Sequence, residues 1–340
     1  MRVSVIGQIK NKKTGLGKAI NDLIDELQLS YHVEAIDITN NKEFFAKISD
    51  ILKSKPDSCY FTPSGSLFGN LRDFCYLLAM KKTGAKLIAH FHNSNFGKVV
   101  HSNPFSFYLN KLIYKHVDKI ILLGHKQKKM FDGLDVDENK FIIIRNGIEK
   151  DLFISESELS SKLNNPIRKV IYFSNMIPEK GYKIVLEVAK QLVNDSHYQF
   201  IFSGKFFDKN LEDDFLKSIE GQPNINYYSG VYGSDKVELL KETHFFILPS
   251  SYKDETLPIS MLEAMATGNY IIINDVGVVS EVVNEATSTI SPSLTANEII
   301  NILKQKNQEL EQLDFNIEHL KSNYQNKKIQ EKIEFEIVNV

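Results

Sequence analysis

An α/β fold with two facing Rossmann-like domains and a central cleft is predicted from three observations on this sequence. Short β-branched runs alternate with longer helical patterns along the whole chain, which is typical of βα units around parallel sheets. The length of 340 residues accommodates two domains rather than one. A stretch rich in serine, asparagine and proline over residues 154–166 interrupts the alternation and predicts a linker.

The amino half contains the first series of strands and helices. Strands are predicted near residues 2–7, 31–37, 57–61, 85–91, 118–123 and 140–145. Helices are predicted near 15–28, 42–54, 66–83 and 103–117. Glycine or a polar cluster lies at most of the joins between them. Residues 1–165 are therefore predicted to form the first Rossmann-like domain.

The carboxyl half repeats this architecture without repeating the sequence. Strands are predicted near residues 169–174, 198–203, 224–229, 244–249 and 269–274. Helices are predicted near 181–194, 209–220, 233–242 and 258–267. Residues 166–315 are therefore predicted to form the second domain, and the helical pattern of 316–340 predicts a tail that crosses back to the first. Ligands of open parallel sheets bind at the carboxyl ends of the strands, so the chemistry is expected there.

The charge balance argues against a general nucleic-acid binder. Lys and Arg number 41 against 43 Asp and Glu, a net charge of -2. Residues 1–165 carry 24 basic and 18 acidic residues and residues 166–340 carry 17 and 25, so the first half attracts anions more readily. Two cysteines make no disulfide framework, the first residues do not resemble a secretion signal, and no apolar run approaches the roughly 20 residues of a membrane helix. A cytoplasmic protein with at most peripheral membrane contact is expected.

The most informative segment is PSSYKDETLPISMLEAMATG, residues 249–268. It joins a buried strand to a helix whose first turn is predicted to contain Pro258, with Glu255 ahead of the helix and Glu263 inside it. The backbone N–H groups of Thr256, Leu257 and Ile259 are expected to point outward at the positive end of this helix, where an anion binds readily. The alternative for either carboxylate is an ordinary surface glutamate, with Glu255 complementing the helix dipole.

This segment resembles the Glu-x7-Glu motif of glycosyltransferase family 4, retaining enzymes of the GT-B fold. The resemblance implies that Glu255 contacts the transferred sugar and Glu263 the ribose hydroxyls of a nucleotide-diphosphate sugar. Carboxylates accept hydrogen bonds from paired hydroxyls, which agrees with both roles. It also implies that the first domain binds the acceptor and the second the nucleotide sugar.

YFSNMIPEKG, residues 172–181, is similar to another element of that family. The resemblance implies that Lys180 binds the donor diphosphate; the alternative is a surface lysine beside a glycine turn. The family usually has an arginine at the position of Asn175, and asparagine donates a hydrogen bond without bringing a charge. Part of the anion stabilisation must then come from elsewhere, or the donor binds more weakly.

Two loops of the amino half complete the resemblance. TGLG, residues 14–17, follows the first strand and is similar to the family's Gly-rich loop, which adds Gly15 and Gly17 to the donor-binding residues. Ile20 occupies the third position of a Gly-x-Gly-x-x-Gly pattern, which disfavours a dinucleotide cofactor. His92 resembles the family's active-site histidine. His90 and His92 share one face of a strand as a metal pair would, but no further ligand lies at a suitable spacing, so no metal is expected. A buried histidine bonded to the backbone is the alternative.

The resemblance implies a retaining, hexosyltransferase-type enzyme that needs no cofactor. His92, Glu255 and Lys180 are its expected catalytic residues, and the leaving diphosphate accepts the proton of the attacking hydroxyl. A UDP-sugar is the expected donor, and a glycan or lipid-linked compound the expected acceptor, in bacterial surface polysaccharide or glycoconjugate synthesis. Two alternatives stay open: a nucleotide-sugar epimerase of the same fold, and a non-catalytic subunit that binds nucleotide sugar.

Two segments of the amino half combine aromatic and basic residues, 72–82 and 104–115. Such helices dock on anionic lipid, although they are more often core faces fringed by lysines. Weak, salt-sensitive contact with an anionic membrane is the corresponding prediction.

Overall fold

The computed structural model describes residues 1–10 and 15–339, which divide into two compact units. Unit 1 comprises residues 1–147 and 326–340, and unit 2 comprises residues 148–325. The division falls after Gly147 rather than in the polar stretch 154–166.

Unit 1 is built around a six-stranded parallel sheet in the order β2-β1-β3-β4-β5-β6. Its strands are β1 Arg2–Gly7, β2 His32–Asp37, β3 Ser58–Phe61, β4 Lys86–Phe91, β5 Lys119–Leu122 and β6 Phe141–Ile143. Its first helices are α1 Gly15–Gln28, α2 Phe44–Ser54, α3 Leu67–Thr83, α4 Asn95–Ser102 and α5 Pro104–Tyr114. The central strands are apolar and buried on both faces, as in parallel sheets covered by helices.

Unit 2 contains a second six-stranded parallel sheet, ordered β12-β11-β10-β7-β8-β9. Its strands are β7 Arg168–Phe173, β8 Tyr198–Ser203, β9 Ile225–Tyr228, β10 Phe245–Leu248, β11 Tyr270–Asn274 and β12 Ser288–Ser291. Its helices are α6 Glu156–Leu163, α7 Tyr182–Gln191, α8 Lys209–Ile219, α9 Gly233–Glu242, α10 Ile259–Ala266, α11 Ala296–Glu309 and α12 Ile317–Tyr324. The predicted α/β class, with a parallel sheet in each half, is confirmed.

The last helix, α13 Asn326–Val338, belongs to unit 1. Ile329, Ile333 and Ile337 lie on one side of it and pack among the buried residues of the sheet face that α1 also covers. The Ser58 hydroxyl donates a hydrogen bond to the Ile337 carbonyl oxygen at 2.9 Å.

Four elements differ from the sequence prediction. The segment predicted as a linker contains α6, whose N-cap Ser155 forms a capping box with Glu158. The strand β12 and the short helix α4 were not predicted, and both are short and only partly apolar. Helix α10 begins at Ile259 with Pro258 as its N-cap, so Pro258 lies just before the first turn rather than in it.

Within residues 1–10 and 15–339, no helix combines the length and the apolar character needed to cross a membrane.

Candidate active site

The loops that follow β7 and β10 meet at the switch point of the unit 2 sheet. These two strands are neighbours, although β8 and β9 lie between them in the chain. At such a point the connections leave in opposite directions and open a crevice at the carboxyl ends of the strands. Asn175 and Lys180 lie in the loop after β7, and Glu255 lies in the loop after β10.

The two loops are held together by their backbones. The Ser251 N–H donates to the Glu179 carbonyl oxygen at 2.7 Å. Gly181 has a φ of +84°, and a Cβ at this position would collide with the backbone of Pro249. Only glycine meets both conditions, so it allows α7 to begin directly against the end of β10. Lys180 is thereby fixed beside the second loop.

Lys180 and Glu255 form an ion pair at the switch point. Lys180 Nζ lies 3.1 Å from Glu255 Oε2, and the two side chains are 16% and 10% exposed. The contact does not have hydrogen-bond geometry, so Oε2 accepts no hydrogen bond from the described residues. Lys180 Nζ also lies 5.5 Å from the centre of the Tyr252 ring. The ion pair offsets part of the cost of burying this carboxylate, and the hydroxyls of a ligand would supply the hydrogen bonds that Oε2 does not receive from the described residues.

The start of α10 lies next to this pair in the sequence. Thr256 and Leu257 are 3% and 5% exposed, and the N-cap residue Pro258 makes no side-chain capping hydrogen bond. The first N–H groups of an α-helix, beginning here with Ile259, have no intrahelical acceptor. Gly277, with a φ of +55°, packs against the Thr256 carbonyl, which accepts a 2.9 Å hydrogen bond from the Val278 N–H. The outward direction predicted for the N–H groups of Thr256, Leu257 and Ile259 stays a prediction.

Glu263 is buried and ion-paired rather than solvated. Its Oε1 lies 2.7 Å from Lys236 Nζ of α9, and the two side chains are 11% and 13% exposed. The alternative of an ordinary surface glutamate is therefore wrong for Glu263. Lys236 was missed from the sequence because nothing local to it indicates a partner 27 positions away.

Asn175 is exposed, and its backbone contributes to the loop. Its carbonyl oxygen accepts hydrogen bonds from the Tyr172 hydroxyl at 2.9 Å and the Ile177 N–H at 2.8 Å. The Met176 N–H bonds the Lys205 carbonyl at 2.9 Å and ties the loop to the segment after β8.

Gly15 and Gly17 lie in the first turn of α1, after β1 in unit 1. Thr14, quoted with them in the sequence motif, lies outside the described residues. The Asn21 side-chain amide donates to the carbonyl oxygens of Gly17 at 2.7 Å and Ile9 at 2.9 Å, which fastens this turn to the segment after β1.

His92 follows β4 and stacks on His90. The ring centres are 3.9 Å apart, with an angle of 34° between the planes. His92 Nε2 is shielded from solvent and has no hydrogen-bond partner among the described residues. Burial lowers the pKa of His92 to about 4, although a hydrogen bond to the Asn146 side chain acts in the opposite direction. Burial lowers the pKa of His90 well below its usual value. Both rings are neutral at pH 7.

The metal-pair arrangement considered for His90 and His92 has no further ligands nearby. In the part of the chain that the structure describes, no cluster of three or more His, Cys, Asp or Glu side chains could hold a metal ion. His90 Nδ1 instead lies 2.6 Å from the Tyr60 hydroxyl. Tyr60 was not singled out from the sequence, because only the pairing of β3 with β4 brings it beside His90.

Parts of the sequence are similar to known glycosyltransferases. Residues 155–316 match the family model described as glycosyl transferases group 1. An N,N'-diacetylbacillosaminyl-diphospho-undecaprenol α-1,3-N-acetylgalactosaminyltransferase of Campylobacter jejuni is 30% identical over 176 residues, 49% of this chain and 45% of the relative. An uncharacterized glycosyltransferase of Methanocaldococcus jannaschii is 25% identical over 238 residues, 65% of this chain and 60% of the relative. The matches thus span less than two thirds of either relative.

Solved structures resemble the whole chain. HepE of Anabaena, crystallised with UDP, has a TM-score of 0.77 at 13% identity and covers 100% of both chains. WaaG, a glycosyltransferase involved in lipopolysaccharide biosynthesis, has a TM-score of 0.69 at 14% identity and covers 99% of this chain and 100% of its own. At these identities the likeness shows the fold, and the expected GT-B fold is confirmed.

Proposed function

We propose that this chain is a retaining glycosyltransferase that moves a sugar from a nucleotide-diphosphate sugar to a hydroxyl of a glycan or lipid-linked acceptor. The observation that carries the proposal is the Lys180–Glu255 pair at the unit 2 switch point, with a buried carboxylate oxygen that accepts no hydrogen bond from the described part of the chain. The family model covers both residues. HepE was solved with UDP and with UDP-glucose, which supports a uridine diphosphate sugar as the donor.

Each residue of the proposed donor site matches one part of such a donor. The Lys180 ammonium and the first N–H groups of α10 suit the diphosphate, because both carry positive charge. Glu255 suits the sugar hydroxyls and Glu263 the ribose hydroxyls, because carboxylates accept their hydrogen bonds. Asn175 adds no charge, so Lys180 has the larger share of the anion stabilisation.

Retention of configuration follows if the acceptor attacks from the face that the diphosphate leaves. The bond between the anomeric carbon and the phosphate oxygen breaks as the acceptor oxygen bonds to that carbon. The leaving diphosphate takes the proton of the attacking hydroxyl. The protein contributes positioning and charge stabilisation through Lys180 and Glu255, and we propose that no metal ion takes part. We assign His92 of unit 1 to the same reaction, as a neutral group that bonds a hydroxyl.

A lipid-linked acceptor is supported by the name of the Campylobacter relative, which specifies an undecaprenol diphosphate acceptor. Helix α5 is consistent with access to lipid, since Phe105 and Tyr108 are 63% and 59% exposed and Leu112 lies one turn further along. Segment 72–82 is not lipid-facing at its centre, because Tyr76 and Leu77 are buried and Arg72 pairs with Asp73 at 2.8 Å. We therefore place the peripheral membrane contact on α5 alone.

The test is a binding and product screen. Thermal unfolding is measured with UDP, GDP and ADP and with their common sugar conjugates, and turnover is then followed with and without acceptor lipid and with and without EDTA. A new glycosidic bond of unchanged anomeric configuration, formed in EDTA, is expected. An epimerised donor without any transfer would indicate the epimerase, and binding without turnover or hydrolysis would indicate the accessory subunit. A product of inverted configuration would overturn the retaining mechanism. Loss of activity in EDTA would overturn the proposal that no metal ion takes part.

A further inference from the structure

A polar stack lies within an otherwise apolar face of the unit 1 sheet. Tyr60 of β3 and His90 of β4 share the face on which Val3, Val5 and Ile88 are buried. Tyr60 and His90 are each 2% exposed. Burying an imidazole and a phenol costs more than burying aliphatic side chains of that size unless their polar atoms are bonded. Core packing alone therefore does not explain why these two polar side chains are buried here.

A hydrogen bond joins the Tyr60 hydroxyl to one ring nitrogen of His90. The Tyr60 hydroxyl lies 2.6 Å from His90 Nδ1, and this is the contact that the structure records for its proton. Burial raises the pKa of Tyr60, so the phenol keeps that proton. With Tyr60 as the donor of this bond, a neutral His90 accepts at Nδ1 and carries its own proton at Nε2. His90 Nε2 has no hydrogen-bond partner among the described residues, so hydrogen bonds within the core do not account for this nitrogen.

The His90 ring in turn constrains His92. The two ring centres are 3.9 Å apart, with His90 near the end of β4 and His92 just after it. The Asn146 side chain also hydrogen-bonds the His92 ring. Nε2 of His92 has no partner among the described residues. The His90 ring and the Asn146 side chain thus both constrain His92.

We infer that Tyr60 and His90 are positioning residues for His92: Tyr60 fixes the tautomer of His90, and the His90 ring fixes the plane of His92. Neither residue has to touch substrate. The inference rests on the proposed function for the role of His92, but the geometry that it describes can be measured without turnover.

The test compares Tyr60→Phe, His90→Phe and the control Tyr76→Phe by kinetics and by NMR. Tyr76 is a fully buried tyrosine of the same unit whose hydroxyl has no partner among the described residues, and its cluster does not include Tyr60. Tyr60→Phe and His90→Phe are expected to lower kcat about 10- to 100-fold, because a small displacement of a reacting group has effects of that order. For both variants, the donor KM and the thermal shift with UDP should stay within twofold of the wild-type values. The control Tyr76→Phe should leave kcat, the donor KM and the thermal shift unchanged.

The NMR arm uses protein labelled with ¹⁵N histidine, and long-range ¹H–¹⁵N spectra report the tautomer and environment of each ring. Wild-type His90 is expected to show a protonated Nε2, Tyr60→Phe to mix its tautomers, and His90→Phe to move the His92 resonances. Circular dichroism checks the fold of each variant. The inference would be overturned if the His92 resonances were unchanged in both variants. It would also be overturned if wild type transfers sugar and both variants have the same kcat as wild type. Failure of wild type to bind nucleotide or transfer sugar would instead overturn the proposed function, and the resonances would still decide the positioning.

Discussion

The two units differ in the chemistry that they place at the carboxyl ends of their sheets. Unit 2 has two ion pairs in and beside the loops there, Lys180 with Glu255 and Lys236 with Glu263, each largely buried. Unit 1 has neutral aromatic groups there, with His90 near the end of β4 stacked on His92 just after that strand. Charged groups that are partly desolvated suit an anionic ligand, whereas neutral donors and acceptors suit hydroxyls. The difference supports the proposal that unit 2 recognises the diphosphate.

The largest effect is expected from removing the cation of unit 2. Lys180→Ala should lower kcat/KM about 10²- to 10³-fold, because it deletes charge stabilisation of the leaving diphosphate and leaves Glu255 buried without its partner. Steady-state kinetics with the donor found in the screen measure this change. The matched control is Lys183→Ala, an exposed lysine three positions away on α7. If Lys180→Ala turns over as fast as wild type, the proposal that the charged groups of unit 2 stabilise the diphosphate is wrong.

The second pair gives a smaller effect that separates stability from binding. Lys236→Met should lower the free energy of unfolding by about 3 kcal/mol, because Glu263 is left as an uncompensated buried charge. Adding Glu263→Gln should restore most of that loss in urea denaturation. The donor Kd of the double variant should stay about tenfold weaker, since the carboxylate that we assign to the ribose is gone. A double variant that binds donor like wild type would show that this pair is structural only.

Acid sensitivity should distinguish a buried histidine of unit 2 from an exposed one. His244 is 1% exposed; its Nδ1 accepts from the Lys169 N–H at 3.1 Å and its Nε2 donates to the Lys162 carbonyl at 2.9 Å. Burial lowers the pKa of His244 to about 3 from 6.5. The unfolded chain therefore binds the proton first, so stability is present above pH 6.5 and falls toward pH 3.

Between pH 6.5 and the pKa of folded His244, the free energy of unfolding should fall by about 1.4 kcal/mol for each pH unit, because His244 is neutral in the folded protein and protonated in the unfolded chain. His244→Gln should lower stability at pH 7 and make the decline from pH 6.5 to 4.5 shallower by about this slope, as measured by urea unfolding at each pH. His197→Gln is the control, because that histidine is 69% exposed and paired with Asp195. An equal decline in wild type and His244→Gln would contradict the prediction.

The smallest effect concerns the outer surface of unit 1. Phe105→Ser with Tyr108→Ser should reduce flotation with anionic vesicles, because aromatic rings on α5 contribute apolar contact at the lipid interface. Raising the salt should weaken flotation of wild type, since charge attraction adds to this contact. Phe207→Ser in unit 2, which changes an aromatic side chain that is 76% exposed, should leave flotation unchanged. Wild type that does not float at low salt would remove the membrane proposal.

Much of the fold was predictable because the apolar runs are unambiguous. The central strands are short buried stretches such as Phe245–Leu248, and a fully apolar run between turn residues has few other interpretations. Elements at the margin were missed. Ser155 and Glu158 have the spacing of a capping box, yet the polar composition of 154–166 favoured a linker, and β12 has two serines in four residues.

The candidate site was predictable only where the chain brings its residues together locally. Glu255, Thr256 and Glu263 lie on one loop and helix, and Lys180 lies in a loop that ends on a glycine. The partner of Glu263 and the hydroxyl that bonds His90 come from other elements, so spacing along the chain does not indicate them.

Local patterning, then, is sufficient for the α/β alternation, the parallel sheets and the loops that contain Lys180, Glu255 and His92, because strand and turn propensities act over a few neighbouring residues. The choice of partners depends on the packed structure. The placement of β10 beside β7 brings Glu255 to Lys180, and the packing of α9 brings Lys236 to Glu263. Ion pairs and ring stacks act over a few ångströms in space, so residues far apart in the sequence meet only after the sheets have formed.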